Sequence, residues 1–225
     1  MTSIFQRTMR DDFDRLHPQL QRRFGIGLDS GQACVGTGTM DRIWHGRGFT
    51  RPFLWLGSTR NILVPTTGRD IPFRIDNYPY RDEFGREAVS FVRTFGFARR
   101  RRFDATMVHH PDRGTIVDYL GTHQHLAADL RLRADPEGAL VITSQRQVFL
   151  QGPIRVRVPA LVTGSARVRE SFDDTTGRFT IDVRVDNHRF GPLFGYHGTF
   201  TASFRDLGRE GVPAAVKPRH TEVRW

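Results

Sequence analysis

Phe179-Thr180-Ile181-Asp182-Val183-Arg184-Val185-Asp186 places an apolar side chain at every second position with a polar one between. Successive side chains of an extended chain point to opposite faces, so this run predicts a strand with one face in a core and one in water. Residues 199–204 repeat the pattern, with Phe200, Ala202 and Phe204 set against Thr199, Thr201 and Ser203. Working outward, similar runs occupy residues 89–97, 103–107, 126–132, 140–150 and 166–172, with earlier ones at 39–45 and 71–78. They make roughly nine or ten strands, spaced as in an up-and-down antiparallel sheet. Asp135-Pro136-Glu137-Gly138 and Asp173-Asp174-Thr175-Thr176-Gly177 read as hairpin loops, each with a glycine where positive φ costs least.

The pattern changes before about residue 35. Ile4, Phe5, Met9, Phe13, Leu16, Leu20 and Phe24 follow the three-and-four spacing of an amphipathic helix. Ser3 is placed to cap it, Pro18 divides it into two short helices and Gly25 ends it. A twisted antiparallel sheet with so many strands must curl or split, and one short helical segment cannot cover it. The expected fold is therefore mainly β: a single curled antiparallel sheet, a β-barrel or half-barrel, with the N-terminal helical segment packed against it. The domain is expected to span residues 1–207, and residues 208–225, which lack periodicity, read as a surface tail.

Composition narrows the function classes. Eighteen Phe and three Trp in 225 residues supply a real core although only 38% of residues are hydrophobic. The net charge of +10 comes from 34 basic against 24 acidic residues, and Lys217 is the only lysine. Such complete use of arginine follows codon usage in a GC-rich genome, since a phosphate-binding surface has no reason to exclude lysine. The one dense block, Arg99 to Arg102, lies between Phe97 and Phe103 and reads as a solvated turn, so no nucleic-acid partner is expected. No apolar run reaches the roughly 18 residues that span a bilayer, and Arg7, Arg10, Asp11 and Asp12 stand where a signal peptide would be apolar. A cytoplasmic protein without stable membrane insertion is the expectation. Cys34 is the only cysteine, which excludes an intramolecular disulfide and a cysteine-cluster zinc site.

Four segments occur together: Gly36-Thr37-Gly38-Thr39-Met40 leading to Arg42-Ile43-Trp44-His45-Gly46; Arg102-Phe103-Asp104-Ala105-Thr106-Met107; Tyr119-Leu120-Gly121-Thr122-His123-Gln124-His125; and Phe190-Gly191-Pro192-Leu193-Phe194-Gly195-Tyr196. Jointly they resemble the bacterial family of unknown function DUF4166, from about residue 4 to residue 205. The resemblance brings no established catalytic residue. Through members that follow a dehydrogenase-like domain, it implies small-molecule metabolism and a dehydrogenase-like partner by association only.

Polar groups on apolar strand faces are the strongest site signal, because a buried charge costs several kcal/mol unless it is paired or used. Arg93 shares the register of Val89, Phe91, Phe95 and Phe97; Arg146 that of Ile142, Val148 and Leu150; Glu170 that of Ala166, Val168 and Phe172; and Asp118 that of Ile116 and Leu120. Two cations and two anions can pair as a structural network, or they can orient a ligand in an apolar cavity. On the second reading Asp118 and Glu170 are candidate acid/base groups, followed by Tyr119, His123 and His125. Arg93, Arg146, Trp44, Phe91, Phe95 and Tyr196 are candidate ligand contacts. Strict alternation sets Tyr119, His123 and His125 opposite Leu126, Leu130 and Leu132, on the outer face, unless a bulge at or after Gly121 switches sides.

The two-residue spacing of His123 and His125 also permits a metal pair, with a third ligand from His45, His109, His110 or His197, but no HExxH or carboxylate signature supports it. Residues 46–63 are too apolar for an ordinary loop and read as packing beneath the sheet, or as a mobile lid or membrane-touching loop. No dinucleotide fingerprint and no GxSxG elbow is present, so no cofactor is expected. Two functions follow from a barrel with an apolar interior. One is cofactor-free acid/base chemistry, a cyclisation or isomerisation, on a lipid, polyketide or terpenoid type of molecule. The other is non-catalytic carriage of such a ligand for a dehydrogenase-like partner. A His-ligated metal enzyme is the remaining alternative.

Overall fold

The computed structural model describes residues 2–46, 61, 64–158, 164–208 and 211–225. Among these residues eleven strands follow the helical segment: β1 (Gln32–His45), β2 (Gly68–Arg81), β3 (Glu87–Phe95), β4 (Arg101–His110), β5 (Thr115–Leu120), β6 (Leu126–Ala134), β7 (Leu140–Gln151), β8 (Ile154–Arg157), β9 (Ser165–Asp173), β10 (Arg178–Asn187) and β11 (Gly191–Asp206). They pair antiparallel in the order β6-β5-β4-β3-β2-β1-β11-β10-β9-β7, and β7 returns to β6. That pairing closes a ten-stranded barrel; β8 is an added strand on the second half of β7, whose first half pairs with β9. Closure buries the apolar faces against each other and joins β6 to β7, leaving β8 as an edge strand. The barrel choice, the helices and both hairpin loops match the sequence reading, with Gly138 at φ 77° and Gly177 at φ 65°. Strands β5 and β8 were not among the runs that alternation picked out.

The helical segment closes one barrel end. Ser3 caps α1 (Ile4–Met9) in a capping box with Gln6, and Pro18 opens α2 (Pro18–Phe24) at the first helical turn. All of the periodic apolar residues from Ile4 to Phe24 join the main core with the inward side chains of the strands, among them Phe91, Phe179 and Phe200. Polar contacts pin the segment to strand ends: Arg7 Nη2 donates to Glu87 at 2.5 Å, Thr8 meets His109 at 2.9 Å, and the Ala134 N–H donates to Asp12 at 2.6 Å. At the opposite end lie the β3–β4, β5–β6 and β10–β11 connections. Most of the 46–63 stretch, including its apolar centre, lies outside the described residues.

Among the described residues three bulges interrupt the alternation, in β1, β7 and β11, and those in β7 and β1 set the faces of candidate residues. In β7, Ala128 pairs with Gln147 and Leu130 with Ser144, so Gln145 and Arg146 together oppose Asp129. The extra residue switches the faces of the strand: Ile142, Ser144 and Gln147 line the interior, while Val148 and Leu150 join an outer cluster with Tyr119 and Ala127. In β1 the register shifts between Met40 and Arg42, leaving both Met40 and Ile43 in the core. Gly36, in the first motif, faces inward where a Cβ would come within 2.6 Å of Ile75 and 2.7 Å of Phe200.

Residues 211–225 lie along the outside of the barrel. The Arg219 N–H donates to the Thr122 carbonyl at 2.7 Å, the Glu222 N–H donates to Gln124 Oε1 at 2.6 Å, and Arg86 donates to the Glu222 carbonyl at 2.7 Å. Val212 and Trp225 cover the outer cluster that contains Tyr80 and Tyr119. No helix among the described residues is long and apolar enough to cross a membrane.

Candidate functional site

Inside the barrel is a space of about 420 Å³. Phe91, Met107, Leu120, Leu126, Leu130 and Ile142 form much of its wall, and Phe24 of α2 reaches it from the closed end. Arg93, Asp118, Glu170 and Tyr196 also line it, brought there from β3, β5, β9 and β11 by inward alternation in four separate strands. Phe95 is fully buried and packs behind Tyr196, with ring centroids 5.3 Å apart.

The polar groups fall into two sets. At the closed end Glu170, 4% exposed, accepts from Arg23 Nε at 2.5 Å. Arg23 Nη1 donates to Asn77 Oδ1 at 2.6 Å and lies 3.1 Å from Cys34 Sγ, while the guanidinium sits 5.1 Å over the Phe200 ring. Burial disfavours the Arg23 charge, but the Glu170 carboxylate and Cys34 outweigh it and hold its pKa above the ordinary arginine value. Glu170 is thus half of a buried ion pair.

The second set is different. Arg93 is 8% exposed, and its Nε and Nη1 have no hydrogen-bond partner among the described residues. Its guanidinium lies 4.7 Å from the Phe103 ring centre and 5.8 Å from that of Phe91. Asp118 is also 8% exposed, and its Oδ1 has no partner among the described residues. Burial pushes this carboxyl up to about 7 against the opposing pull of Arg93. The buried Tyr196 hydroxyl is likewise unpartnered among the described residues, and burial raises its pKa, with Arg93 acting the other way. Native proteins pair most buried polar atoms, so three such groups on one cavity wall are informative.

The remaining candidates lie elsewhere. Arg146 is outside the cavity: the β7 bulge turns it outward, where its Nε stands 3.9 Å from Asp129 and its guanidinium 5.0 Å over Trp225. Trp44 is on the outer face as well, because its neighbour Ile43 points inward and Trp44 itself crosses Gly195. A Cβ at Gly195 would come 2.3 Å from Trp44 Cζ2. Tyr119 is buried, but in the outer cluster beneath the C-terminal residues, with its hydroxyl 3.5 Å from the Arg224 carbonyl. His123 and His125 belong to the β5–β6 turn, where Gly121 at φ 80° and Gln124 at φ 55° leave strand geometry. Their rings stack at 5.6 Å; His125 Nδ1 meets the Leu150 carbonyl at 2.9 Å and His123 Nδ1 meets Thr122 at 3.0 Å. His109 is at the helical end and His197 faces Asp41, and no group of three potential metal ligands occurs among the described residues.

Sequence reasoning passed over Arg23. The signal was present: Arg23 stands three residues after Leu20 and seven after Leu16, which puts it on the apolar stripe of the helix.

In comparisons with known proteins, the chain is 35% identical over 207 residues to a protein of Bacillus subtilis (strain 168) described as uncharacterized protein YndH; the match covers 92% of this chain and all of the relative. No solved structure matches it. Residues 16–200, containing all ten strands of the closed barrel except the last residues of β11, match the domain of unknown function DUF4166, and the chain belongs to that family.

Proposed function

We propose that the barrel binds a mainly apolar small molecule in its interior and orients the polar end of that molecule with Arg93, Asp118 and Tyr196. The observation that carries this reading is the set of unpartnered buried polar atoms on residues that line a mainly apolar cavity. A space of about 420 Å³ falls within the roughly 300–1,000 Å³ typical of small-molecule sites. A group kept polar and unpaired at a cost to stability is the usual mark of a ligand contact, whereas a purely structural charge acquires a partner, as Arg23 does.

Asp118 supports a second reading in the same space. A wall carboxyl titrating at about 7 can accept a proton from one carbon of a bound substrate and return it at another, which is a cofactor-free isomerisation. Carriage and catalysis share the binding step, and that step is what an experiment must establish first. Native mass spectrometry with a fluorescent fatty-acyl probe tests it: a saturable one-to-one complex is expected. Failure to bind this probe and a panel of terpenoid and polyketide amphiphiles would refute the reading.

A further inference from the structure

Resting on that reading, we infer that the ligand is an amphiphilic anion, with a carboxylate or phosphate-type head seated against Arg93 and its hydrocarbon part along the apolar wall. A guanidinium has donors and no acceptor, and it stays charged at any pH the protein meets. Arg93 therefore presents a fixed positive charge, 8% exposed, in the lining of the cavity, and its Nε and Nη1 are unsatisfied among the described residues. The rings of Phe103 and Phe91 soften that charge without supplying an acceptor. No ion pair joins Arg93 to a carboxylate among the described residues, although Arg23 in the same barrel has Glu170 at 2.5 Å.

Asp118, the acid facing Arg93, does not complete the pairing. Burial raises its carboxyl to about 7, so below neutral pH it is mostly protonated and can donate a hydrogen bond to an anionic head. The Tyr196 hydroxyl is a further donor on the same wall. Three donors around one space, with a single permanent cation among them, match an anion and mismatch an amine. Beyond them Met107, Leu130 and Ile142 offer hydrocarbon contact; among the described residues the lining also holds Ser144, Gln147 and Asn187, and its one other carboxylate, Glu170, is paired with Arg23.

A chain-matched series tests this on the intact protein. Dodecanoate, dodecyl phosphate, dodecanol and dodecyltrimethylammonium are titrated below their micellar concentrations and followed by calorimetry or native mass spectrometry. At least one of the two anions should bind tenfold or more tightly than dodecanol, and the cation should bind most weakly; which anion is preferred identifies the head group. Arg93→Met should erase the preference while dodecanol binding persists, which also shows that the variant is folded. Dodecanol binding as tightly as both anions would overturn the inference and leave the apolar-ligand reading standing. No one-to-one binding of any of the four would overturn both.

Discussion

Two arginines among the described residues are buried in this barrel, and they are buried on different terms. Arg23, on α2, meets Glu170, Asn77 and Cys34 and leaves only Nη2 without a partner among the described residues; Arg93, on β3, meets aromatic faces, has no ion pair there and leaves Nε and Nη1 without partners. The first arrangement ties the helical segment to β9, β2 and β1 and so helps to close the barrel end. The second leaves polar capacity unused in the lining of a cavity. In a low-dielectric interior a charge is either compensated within the fold or held available for something that enters it.

The comparison is broken most severely by removing the partner of the compensated arginine. Glu170→Ala leaves Arg23 charged and buried, and the expected loss is about 3–5 kcal/mol in a denaturant titration. A loss under about 1 kcal/mol would mean that the pair is not structural. Asp118→Asn should act in the opposite direction above neutral pH. The folded state holds the Asp118 proton up to about 7, whereas the unfolded chain releases it near 3.8. The native protein therefore loses stability as pH rises from about 4 to about 7 and levels off above that, by roughly 4 kcal/mol at most. The asparagine variant should lack this slope and melt higher than the parent at pH 8; parallel pH profiles of the two proteins would contradict the assignment.

Smaller effects sharpen the contrast. Arg93→Met replaces an uncompensated charge with an apolar side chain, so stability should change by less than about 1 kcal/mol or rise. A loss like that of Glu170→Ala would place Arg93 with the structural charges. Arg146→Ala, on the outer face with its side chain 39% exposed, should cost no more than about 1 kcal/mol and leave ligand binding intact.

Period-two alternation was enough to read most strands, and the change of period before residue 35 was enough to separate the helical segment. What alternation cannot carry is an inserted residue. The β7 bulge is invisible in the pattern, since residues 142, 146, 148 and 150 look like one face, yet it sends Arg146 outward and Gln147 inward. The Gly121 to Gln124 turn has the same effect on His123 and His125: residues two apart share a face only while the backbone stays extended. Arg93, Asp118 and Glu170 were legible because each lies in an uninterrupted strand between apolar neighbours of one register. Their division into a paired group and an unpaired one was not legible, because it depends on Arg23 arriving from a helix 147 residues away from Glu170 in sequence.

The central claim is that the interior of the barrel is a ligand space, and filling it tests that claim most directly. Ala128 faces the cavity from β6 opposite Asp118 and is 3% exposed. Its replacement by phenylalanine, Ala128→Phe, puts a ring into that space without altering a polar group. Titrated side by side with a fluorescent fatty acid, the parent should show saturable one-to-one binding and the Phe variant a loss of at least tenfold, with the melting temperature unchanged or raised. Equal binding by parent and variant, with both folded, would contradict the account.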